Sequence, residues 1–238
     1  MKIFTVCFQY PDRKEYKLLL EVFRQSVKYY MPDVEFVSIE PIPPPYEKDR
    51  IAGFLDNTFK LSFWLDFFKK TDDTIIFADC DLLCMRPAYH AFDPDFDIAY
   101  TAIKPPYKAK LNGGILMTKP TAAAWRFLNE LQEINNLMFQ DIDFHEQWRI
   151  QKKYAGMNQA ALGCVIETGI HGAKIHKYMT QEWNAIDRDL PYIHDGTVFV
   201  HFKSRLREWV LKNYPPQGIC LKPMKEWYRM RDMTRKAD

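Results

Sequence analysis

The sequence lacks any apolar run of about eighteen residues, the length that a helix needs to cross a bilayer. It is also poor in glycine, with 9 among 238 residues, while 47% of its residues are hydrophobic. This composition excludes a disordered or low-complexity chain and permits a sizeable core. The stretch before Gln9 is too short for a signal peptide and is typical of a first strand, so we expect a cytoplasmic protein.

The cysteines give no sign of a zinc site or of a disulfide framework. They are odd in number and lack paired C-x-x-C spacing, and they stand at Cys7, Cys80, Cys84, Cys164 and Cys220. Because structural zinc sites and redox motifs use closely paired cysteines, this scatter predicts reduced thiols.

The net charge of +2 conceals an uneven distribution. From Phe202 to the end, ten lysines and arginines stand against four acidic residues. Aromatic residues are interleaved with them, at Trp209, Tyr214, Trp227 and Tyr228. A basic and aromatic tail can lie on an anionic membrane or on nucleic acid, and it can equally be a solvated C-terminal helix. We therefore expect one domain over residues 1–210, followed by a tail over 211–238.

Hydrophobic periodicity predicts an α/β fold. Strand, helix, strand, helix and strand follow one another over residues 2–8, 15–30, 34–39, 57–70 and 74–78. This order is typical of a mostly parallel, twisted sheet with helices on both faces. Further strands are expected at 96–101, 114–118 and 198–202, and helices from 120 and over 143–153 and 157–163. The loop 104–110, rich in lysine and proline, is a candidate lid.

Two carboxylates follow the third predicted strand, at Asp79 and Asp81. Residues two apart in an extended segment point to the same side, so both side chains can converge on one hard cation. Ligands of open α/β sheets bind at this edge, outside the carboxyl ends of the strands. The alternative is that two acids simply end a strand in solvent.

Three further segments follow this acidic pair: Leu111-Asn112-Gly113-Gly114-Ile115-Leu116-Met117, Asn158-Gln159-Ala160-Ala161-Leu162, and His201 to Trp209. With Ala78-Asp79-Cys80-Asp81, and with the pair Trp183-Asn184, the chain resembles the retaining GT-A glycosyltransferases of the glycogenin and bacterial lipopolysaccharide galactosyltransferase type. The resemblance spans residues 1 to 210. It implies a single GT-A domain that moves a sugar from a nucleotide diphosphate donor, with a UDP-sugar expected, to an acceptor hydroxyl with retention.

The resemblance implies that His201 is a third metal ligand beside Asp79 and Asp81. An imidazole nitrogen in a set of oxygen ligands favours Mn²⁺, with Mg²⁺ as the alternative. Taken alone, His201 is more typical of a core or edge histidine. Its spacing to Arg207 and Trp209 favours the ligand role.

The family usually has lysine on the loop that covers the diphosphate, where this chain has Arg207. A guanidinium can grip phosphate oxygens through two parallel hydrogen bonds. Lys203 and Arg205 are the alternatives if the register differs. Ser204 and Glu208 stand where the family usually has glycine and proline, respectively.

By the same resemblance, Asn112, Gly113 and Gly114 contact the donor sugar, with the glycines permitting close backbone approach. An ordinary turn before a strand is the alternative. Asn158 and Gln159 stand where the family commonly has Asp-Gln beside the reacting carbon. Asn158 carries no negative charge but can still hydrogen-bond a sugar.

The nucleobase is expected in the loop after the first strand, where Tyr10 could stack on it beside Phe8. Lys60 and Arg50 lie in the stretch from which the family draws basic donor contacts, although a helical lysine is more often a solvated edge residue. The nearby aromatic residues are expected in the core, at Phe59, Phe63, Trp64, Phe67 and Phe68.

Two other functions compete with a glycosyltransferase. Asn158 and the basic tail are also compatible with a catalytically impaired module that binds sugar nucleotides or nucleic acid. A sugar nucleotidyltransferase would need a glycine-rich loop after the first strand, and Gln9 to Arg13 contains no glycine. The acceptor is expected to be a glycan, a glycolipid or a modified DNA base, with peripheral membrane or nucleic-acid contact through the tail.

Overall fold

A computed structural model describes residues 1–11, 13–43, 52–105, 109–169 and 172–236. Within these ranges the strands are β1 (Lys2–Val6), β2 (Glu35–Ile39), β3 (Ile75–Asp79), β4 (Leu82–Cys84), β5 (Ile98–Ala102), β6 (Leu111–Thr118), β7 (Ile175–Met179) and β8 (Phe199–His201). The α-helices are α1 (Glu15–Tyr30), α2 (Ala52–Phe68), α3 (Ala122–Gln140), α4 (Ile142–Glu146), α5 (Met157–Thr168), α6 (Thr180–Trp183), α7 (Ser204–Leu211) and α8 (Leu221–Thr234).

The main sheet has six strands in the order β2-β1-β3-β6-β5-β7. Strand β6 runs antiparallel to β3 and β5, and all other neighbouring pairs are parallel. The predicted α/β class with a mostly parallel sheet is therefore confirmed. Strands β4 and β8 form a separate antiparallel pair in which Leu82 lies opposite His201.

The alternation of β3 side chains distributes the core over both faces of the sheet. Ile75 and Phe77 belong to one hydrophobic cluster, and Ile76 and Ala78 belong to another. This is the two-residue period of an extended strand. Helices α2, α3 and α5 cover the first face. Helix α1 covers the second face, where Phe23 packs edge-on against Phe199.

Helix α3 begins where the Pro120-Thr121 signal predicts. The Thr121 hydroxyl oxygen accepts a hydrogen bond from the Ala124 amide at 3.1 Å, which satisfies one of the amides left unpaired at a helix start. The same hydroxyl donates to Asp97 at 2.6 Å. This cap fixes the start of α3 to the end of the sheet where β5 begins.

Some local predictions were wrong. Strand β6 begins at Leu111, so Asn112, Gly113 and Gly114 are buried strand residues and not a turn before a strand. Strand β7 was not predicted, because its polar side chains at the sheet edge are only partly buried and give no apolar pattern. Phe59 is 39% exposed, whereas Trp64 and Phe68 are core residues as expected. Of the lid and donor predictions, residues 106–108 and Arg50 lie outside the described residues.

The basic C-terminal segment packs on the domain. Helix α8 buries Met224, Trp227 and Met230 in a cluster that also contains α1 residues. The Tyr30 hydroxyl of α1 donates to Glu226 of α8 at 2.8 Å. The division at residue 210 stays a prediction. Among the described residues, none of the helices combines the length and the apolar character required for a transmembrane span.

Candidate metal and donor-sugar site

Two chain segments bring Asp79, Asp81 and His201 together. Asp79 is the last residue of β3, Asp81 directly precedes β4, and His201 is the last residue of β8. The Phe202 amide donates to the Asp81 carbonyl at 2.8 Å and extends the β4–β8 pairing. His201 Nε2 lies 2.9 Å from Asp81 Oδ1 and 3.5 Å from Asp79 Oδ2. One potential ligand atom from each residue lies within 4.8 Å of the others.

This donor set fits a divalent cation. Two carboxylates and one imidazole supply oxygen and nitrogen ligands of the kind that Mn²⁺ accepts. His201 is fully buried and Asp81 is 7% exposed, while Asp79 remains accessible from the cavity. Burial of two carboxylates this close requires positive charge nearby.

Positive side chains meet that requirement. Lys60 of α2 pairs with Asp79 at 2.7 Å and is 6% exposed, with its ammonium 4.8 Å from the centre of the Trp64 ring. The alternative of a solvated helix-edge lysine is therefore wrong. Burial by itself raises the pKa of Asp79, but Lys60 and His201 outweigh it and hold that pKa well below its usual range.

The pKa of Asp81 is also lowered. Burial again acts in the opposite direction, and the charge and hydrogen bond of His201 outweigh it. Both carboxylates are consequently ionised at neutral pH and available as ligands.

The backbone at Gly114 lies against the imidazole ring of His201. A Cβ atom at this position would lie 2.5 Å from His201 Cε1 and 3.1 Å from Asn184 Nδ2. Only glycine leaves room for the ring, which gives the second glycine of Asn112-Gly113-Gly114 a direct physical reason. The Asn112 side chain is bonded locally, because its Oδ1 accepts from the Gly114 amide at 2.9 Å.

Arg207 of α7 reaches the acidic pair. Its Nη1 lies 3.6 Å from Asp81 Oδ2 and donates to the Tyr16 hydroxyl at 2.6 Å. Lys203 lines the same cavity, whereas Arg205 lies over the Trp209 ring and away from it. Ser204 has a φ of 43°, the left-handed region that glycine tolerates best. This conformation explains why glycine suits the position.

A cavity of about 380 Å³ opens in front of Asp79 and Asp81. Aromatic side chains line one part of it, at Phe8, Tyr10 and Tyr16. Basic side chains line it at Arg13, Lys60, Lys203 and Arg207. The predicted base-binding and diphosphate-binding residues therefore share one cavity with the acidic pair.

The other predicted sugar contacts form a second group beside the first. A Cβ atom at Gly113 would lie 3.1 Å from Gln159 Cγ and 3.9 Å from Asn158 Nδ2. In the orientation that satisfies its neighbours, the Gln159 amide nitrogen donates to the carbonyl oxygens of Leu111 and Ala155, 3.0 Å away in each case. This second group, Asn112, Gly113, Asn158 and Gln159, does not line the cavity of Asp79. It is connected to the acidic pair by Gly114, whose backbone lies against His201.

Sequence reasoning gave no site role to five residues of this region: Arg13, Tyr16, Asp56, Thr101 and Asn184. Tyr16 lies at the start of an amphipathic helix, and Asp56 and Thr101 belong to no motif, so nothing in the sequence marks them. Asn184 was noticed only as half of the pair Trp183-Asn184. Its contact with His201, at 3.1 Å, needs the fold to be seen.

Solved structures with the same fold include glycosyltransferases. A glycosyltransferase involved in glycosylation of the PBCV-1 major capsid has a TM-score of 0.59 at 14% identity, over 87% of this chain and 97% of that one. The galactosyltransferase LgtC, in complex with donor and acceptor sugar analogues, has a TM-score of 0.59 at 12% identity, over 98% and 96%. The glycosyltransferase GlyE of Streptococcus pneumoniae TIGR4 has a TM-score of 0.57 at 13% identity, over 99% and 64%.

No family model and no curated sequence matches the chain. At such low identities the likeness to solved structures shows the fold, and the predicted single GT-A domain is confirmed at that level. The chain therefore has a GT-A fold that carries a candidate divalent-metal site at Asp79, Asp81 and His201.

Proposed function

We propose that the chain is a metal-dependent glycosyltransferase that moves a sugar from a nucleoside diphosphate donor to an acceptor hydroxyl. The observation that carries the proposal is the cluster of Asp79, Asp81 and His201, whose two carboxylates line a cavity together with basic and aromatic side chains. Its location in a GT-A fold adds support. The donor is a UDP-sugar, transfer proceeds with retention, and the preferred metal is Mn²⁺.

Asp79, Asp81 and His201 would hold the cation, which supplies Lewis-acid stabilisation of the departing diphosphate. Arg207 and Lys203 bind the phosphate oxygens through charge-assisted hydrogen bonds. Lys60 is paired with Asp79, and it sets the position of that carboxylate while contributing positive charge to the cavity. Tyr10 and Phe8 offer ring faces to the base.

The donor sugar is positioned by Asn112, Asn158 and Gln159, on the opposite side of Gly114 from the acidic pair. The amide of Asn158 cannot take a proton as a carboxylate does, so it acts by hydrogen bonding. Catalysis then depends on positioning and on charge stabilisation of the leaving group, two effects that can each lower a barrier by several kcal/mol.

Nucleotide-dependent thermal stabilisation tests the donor and the metal together. UDP with Mn²⁺ is expected to raise the melting temperature of the wild type, and Asp79→Ala is expected to abolish that shift because it removes a metal ligand. Asp95→Ala removes an exposed carboxylate that does not line the cavity, and it serves as the matched control. No shift with any nucleoside diphosphate, with or without metal, would contradict the proposal.

A second candidate is a binding module of the same fold that does not catalyse sugar transfer. The amide of Asn158, in place of a carboxylate, favours this candidate. Measurement of UDP-sugar hydrolysis and of transfer to glycan, glycolipid and DNA acceptors separates the two. Metal-dependent nucleotide binding without hydrolysis or transfer would support the module. Product with any acceptor would support the enzyme and identify the acceptor class.

A further inference from the structure

Three hydrogen bonds connect His201 to β5 and β6. Its Nδ1 lies 3.1 Å from Asn184 Oδ1, and Asn184 Nδ2 donates to Thr101 Oγ1 at 3.0 Å. The Thr101 hydroxyl in turn donates to the Asn112 carbonyl oxygen at 2.8 Å. His201, Asn184 and Thr101 are fully buried, and Asn112 is 4% exposed. Water therefore has little access to these bonds.

The Asn112 carbonyl oxygen determines which atoms donate and which accept in these three hydrogen bonds. A carbonyl oxygen only accepts, so the single hydroxyl proton of Thr101 is directed at Asn112. The Thr101 oxygen must then accept from Asn184, which fixes the amide nitrogen of Asn184 towards Thr101 and its oxygen towards His201. An amide oxygen also only accepts, so Nδ1 of His201 carries a proton.

The other ring nitrogen, Nε2, points at the acidic pair. Nε2 faces Asp81 at 2.9 Å and Asp79 at 3.5 Å. An ionised carboxylate only accepts, so Nε2 donates a proton to the acidic pair in the metal-free site, and a cation would bind in place of that proton. Histidines that bind metals commonly donate their second N–H to a fixed acceptor, which orients the ring and selects its tautomer. The irregularity of β5 between Tyr100 and Thr101 lies at the start of this connection. A bulge of this kind re-aims a side chain.

We propose that Asn184 and Thr101 are positioning residues that hold His201 with Nδ1 protonated and Nε2 directed at the cation. The proposal rests on the metal site of the proposed function. Gly114 belongs to the same arrangement, because it leaves room for both His201 and Asn184.

Two readouts test this role without any activity assay. Long-range ¹H–¹⁵N NMR of histidine-labelled wild type is expected to show a protonated Nδ1 at His201, identified by loss of its signal in His201→Gln. Calorimetric titration with Mn²⁺ is expected to show about 10- to 100-fold weaker binding by Asn184→Leu. Thr101→Val should weaken binding in the same direction, and Thr101→Ser should restore it because the hydroxyl returns.

Thr118→Val is the matched control. Thr118 is fully buried like Thr101, but its hydroxyl has no hydrogen-bond partner among the described residues. Unchanged Mn²⁺ affinity in Asn184→Leu, or an unprotonated Nδ1 in the wild type, would overturn the proposal. If the wild type bound no Mn²⁺, the proposed metal requirement would fail while the NMR result would still decide the role of Asn184. If Asn184→Leu does not fold, the Nδ1 signal of His201 in the wild-type spectrum still tests the proposal.

Asp56 supplies an independent observation in the same cavity. It lies on α2 one turn before Lys60 and lines the cavity together with Phe8 and Tyr10. Its Oδ1 is buried, and in the described part of the chain this atom has no hydrogen-bond partner. Burial raises the pKa of this carboxyl to about 6. An unpaired buried carboxylate oxygen destabilises the protein unless a ligand supplies the missing donor.

We infer that Asp56 accepts a ring N–H from the base of the bound nucleotide. Uracil and guanine carry such an N–H, whereas cytosine and adenine present an acceptor nitrogen at the equivalent position, which a carboxylate repels. This selectivity rests on the proposed function and gives a physical reason for its uracil-containing donor, although it admits guanine as well. Phe8 and Tyr10 add ring faces, which do not distinguish one base from another.

Titration with UDP, GDP, CDP and ADP in Mn²⁺ tests the inference. At neutral pH, the wild type is expected to bind UDP or GDP on the order of tenfold more tightly than CDP and ADP, and Asp56→Asn to lose most of that preference. Asp66→Asn changes an exposed aspartate of the same helix and should retain it. Equal weakening of all four nucleotides, or no change, would overturn the base contact. No binding of any nucleotide to the wild type would instead contradict the proposed function.

Discussion

Gly114 is the residue at which the backbone of β6 touches the candidate metal ligand His201. A Cβ atom there would lie 2.5 Å from a ring carbon of His201, a distance that real Cβ contacts essentially never show. At Gly113 the nearest atom would be Gln159 Cγ at 3.1 Å, which belongs to a flexible side chain. The two adjacent glycines therefore differ in how much a methyl group disturbs the site.

Gly114→Ala is expected to weaken Mn²⁺ binding by about tenfold or more, because the imidazole ring must move away from Asp79 and Asp81. Gly113→Ala is the matched control and should change the affinity by only about threefold or less, since Gln159 can shift. Calorimetric titration of both variants checks the difference. Equal affinities in the two variants would show that ring placement does not depend on Gly114.

Asp56 makes a pH-dependent contribution to stability. Its carboxyl has a pKa raised to about 6 by burial, above the ordinary value of 3.8. The folded state therefore holds this proton more tightly than the unfolded state, and stability is lost as pH rises from about 4 to about 6. At neutral pH the charged side chain destabilises the fold.

Asp56→Asn is accordingly expected to raise the melting temperature at pH 7.5 and to leave it nearly unchanged at pH 4, relative to wild type at the same pH. Asp66→Asn, at an exposed position on α2, should have little effect at either pH. Thermal unfolding followed by circular dichroism provides the measurement. A lower melting temperature of Asp56→Asn at pH 7.5 would mean that the ionised carboxylate stabilises the fold.

At the scale of elements, the start of α1 and the start of α7 meet in the bond between Tyr16 and Arg207. Arg207 donates to the Tyr16 hydroxyl at 2.6 Å, and its guanidinium carbon lies 5.2 Å from the centre of the tyrosine ring. Burial raises the pKa of Tyr16, with Arg207 acting against it, so the phenol stays protonated at neutral pH. The contact holds Arg207 over the cavity before any phosphate arrives.

Tyr16→Phe is expected to raise the KM for the donor by roughly two- to tenfold. Without the tyrosine hydroxyl the Arg207 side chain is not held in place, so donor binding must then order it. The kcat should change less, since the charge of Arg207 is retained. Steady-state kinetics over a range of donor concentrations separates the two parameters. Tyr29→Phe, at an exposed position near the other end of α1, is the control. A fall in kcat at unchanged KM would indicate a role in the chemical step.

Much of the element order could be predicted because the buried strands carry a strong signal. The run Ile75 to Ala78 is apolar on both faces, and Asp79 ends it abruptly. Strand β7 was not predicted because its side chains are half-buried and mixed in polarity. The pairing of β4 with β8, which places His201 beside Asp81, joins residues 120 positions apart. Local periodicity cannot reveal such a contact, so His201 was found by family resemblance alone.

At the scale of the whole molecule, the C-terminal segment is a structural part of the domain as well as a carrier of positive charge. Helix α8 places Trp227 at 1% exposure in a cluster with Phe202, the residue that directly follows His201. The Trp227 and Phe202 rings lie 6.2 Å apart. Packing of α8 therefore supports the segment that carries His201 and Arg207.

Trp227→Ala is expected to lower the free energy of unfolding by about 3–5 kcal/mol, the usual loss when a buried tryptophan is truncated to alanine. Tyr214→Ala changes an exposed aromatic residue of the same segment and should cost far less. Urea denaturation of both variants measures the difference. A chain that ends at Tyr214 should lose cooperative unfolding, because it also lacks Met224 and Met230 of this cluster. Full stability of that shortened chain would instead mean that 211–238 is an appendage whose contacts with α1 contribute nothing to the fold.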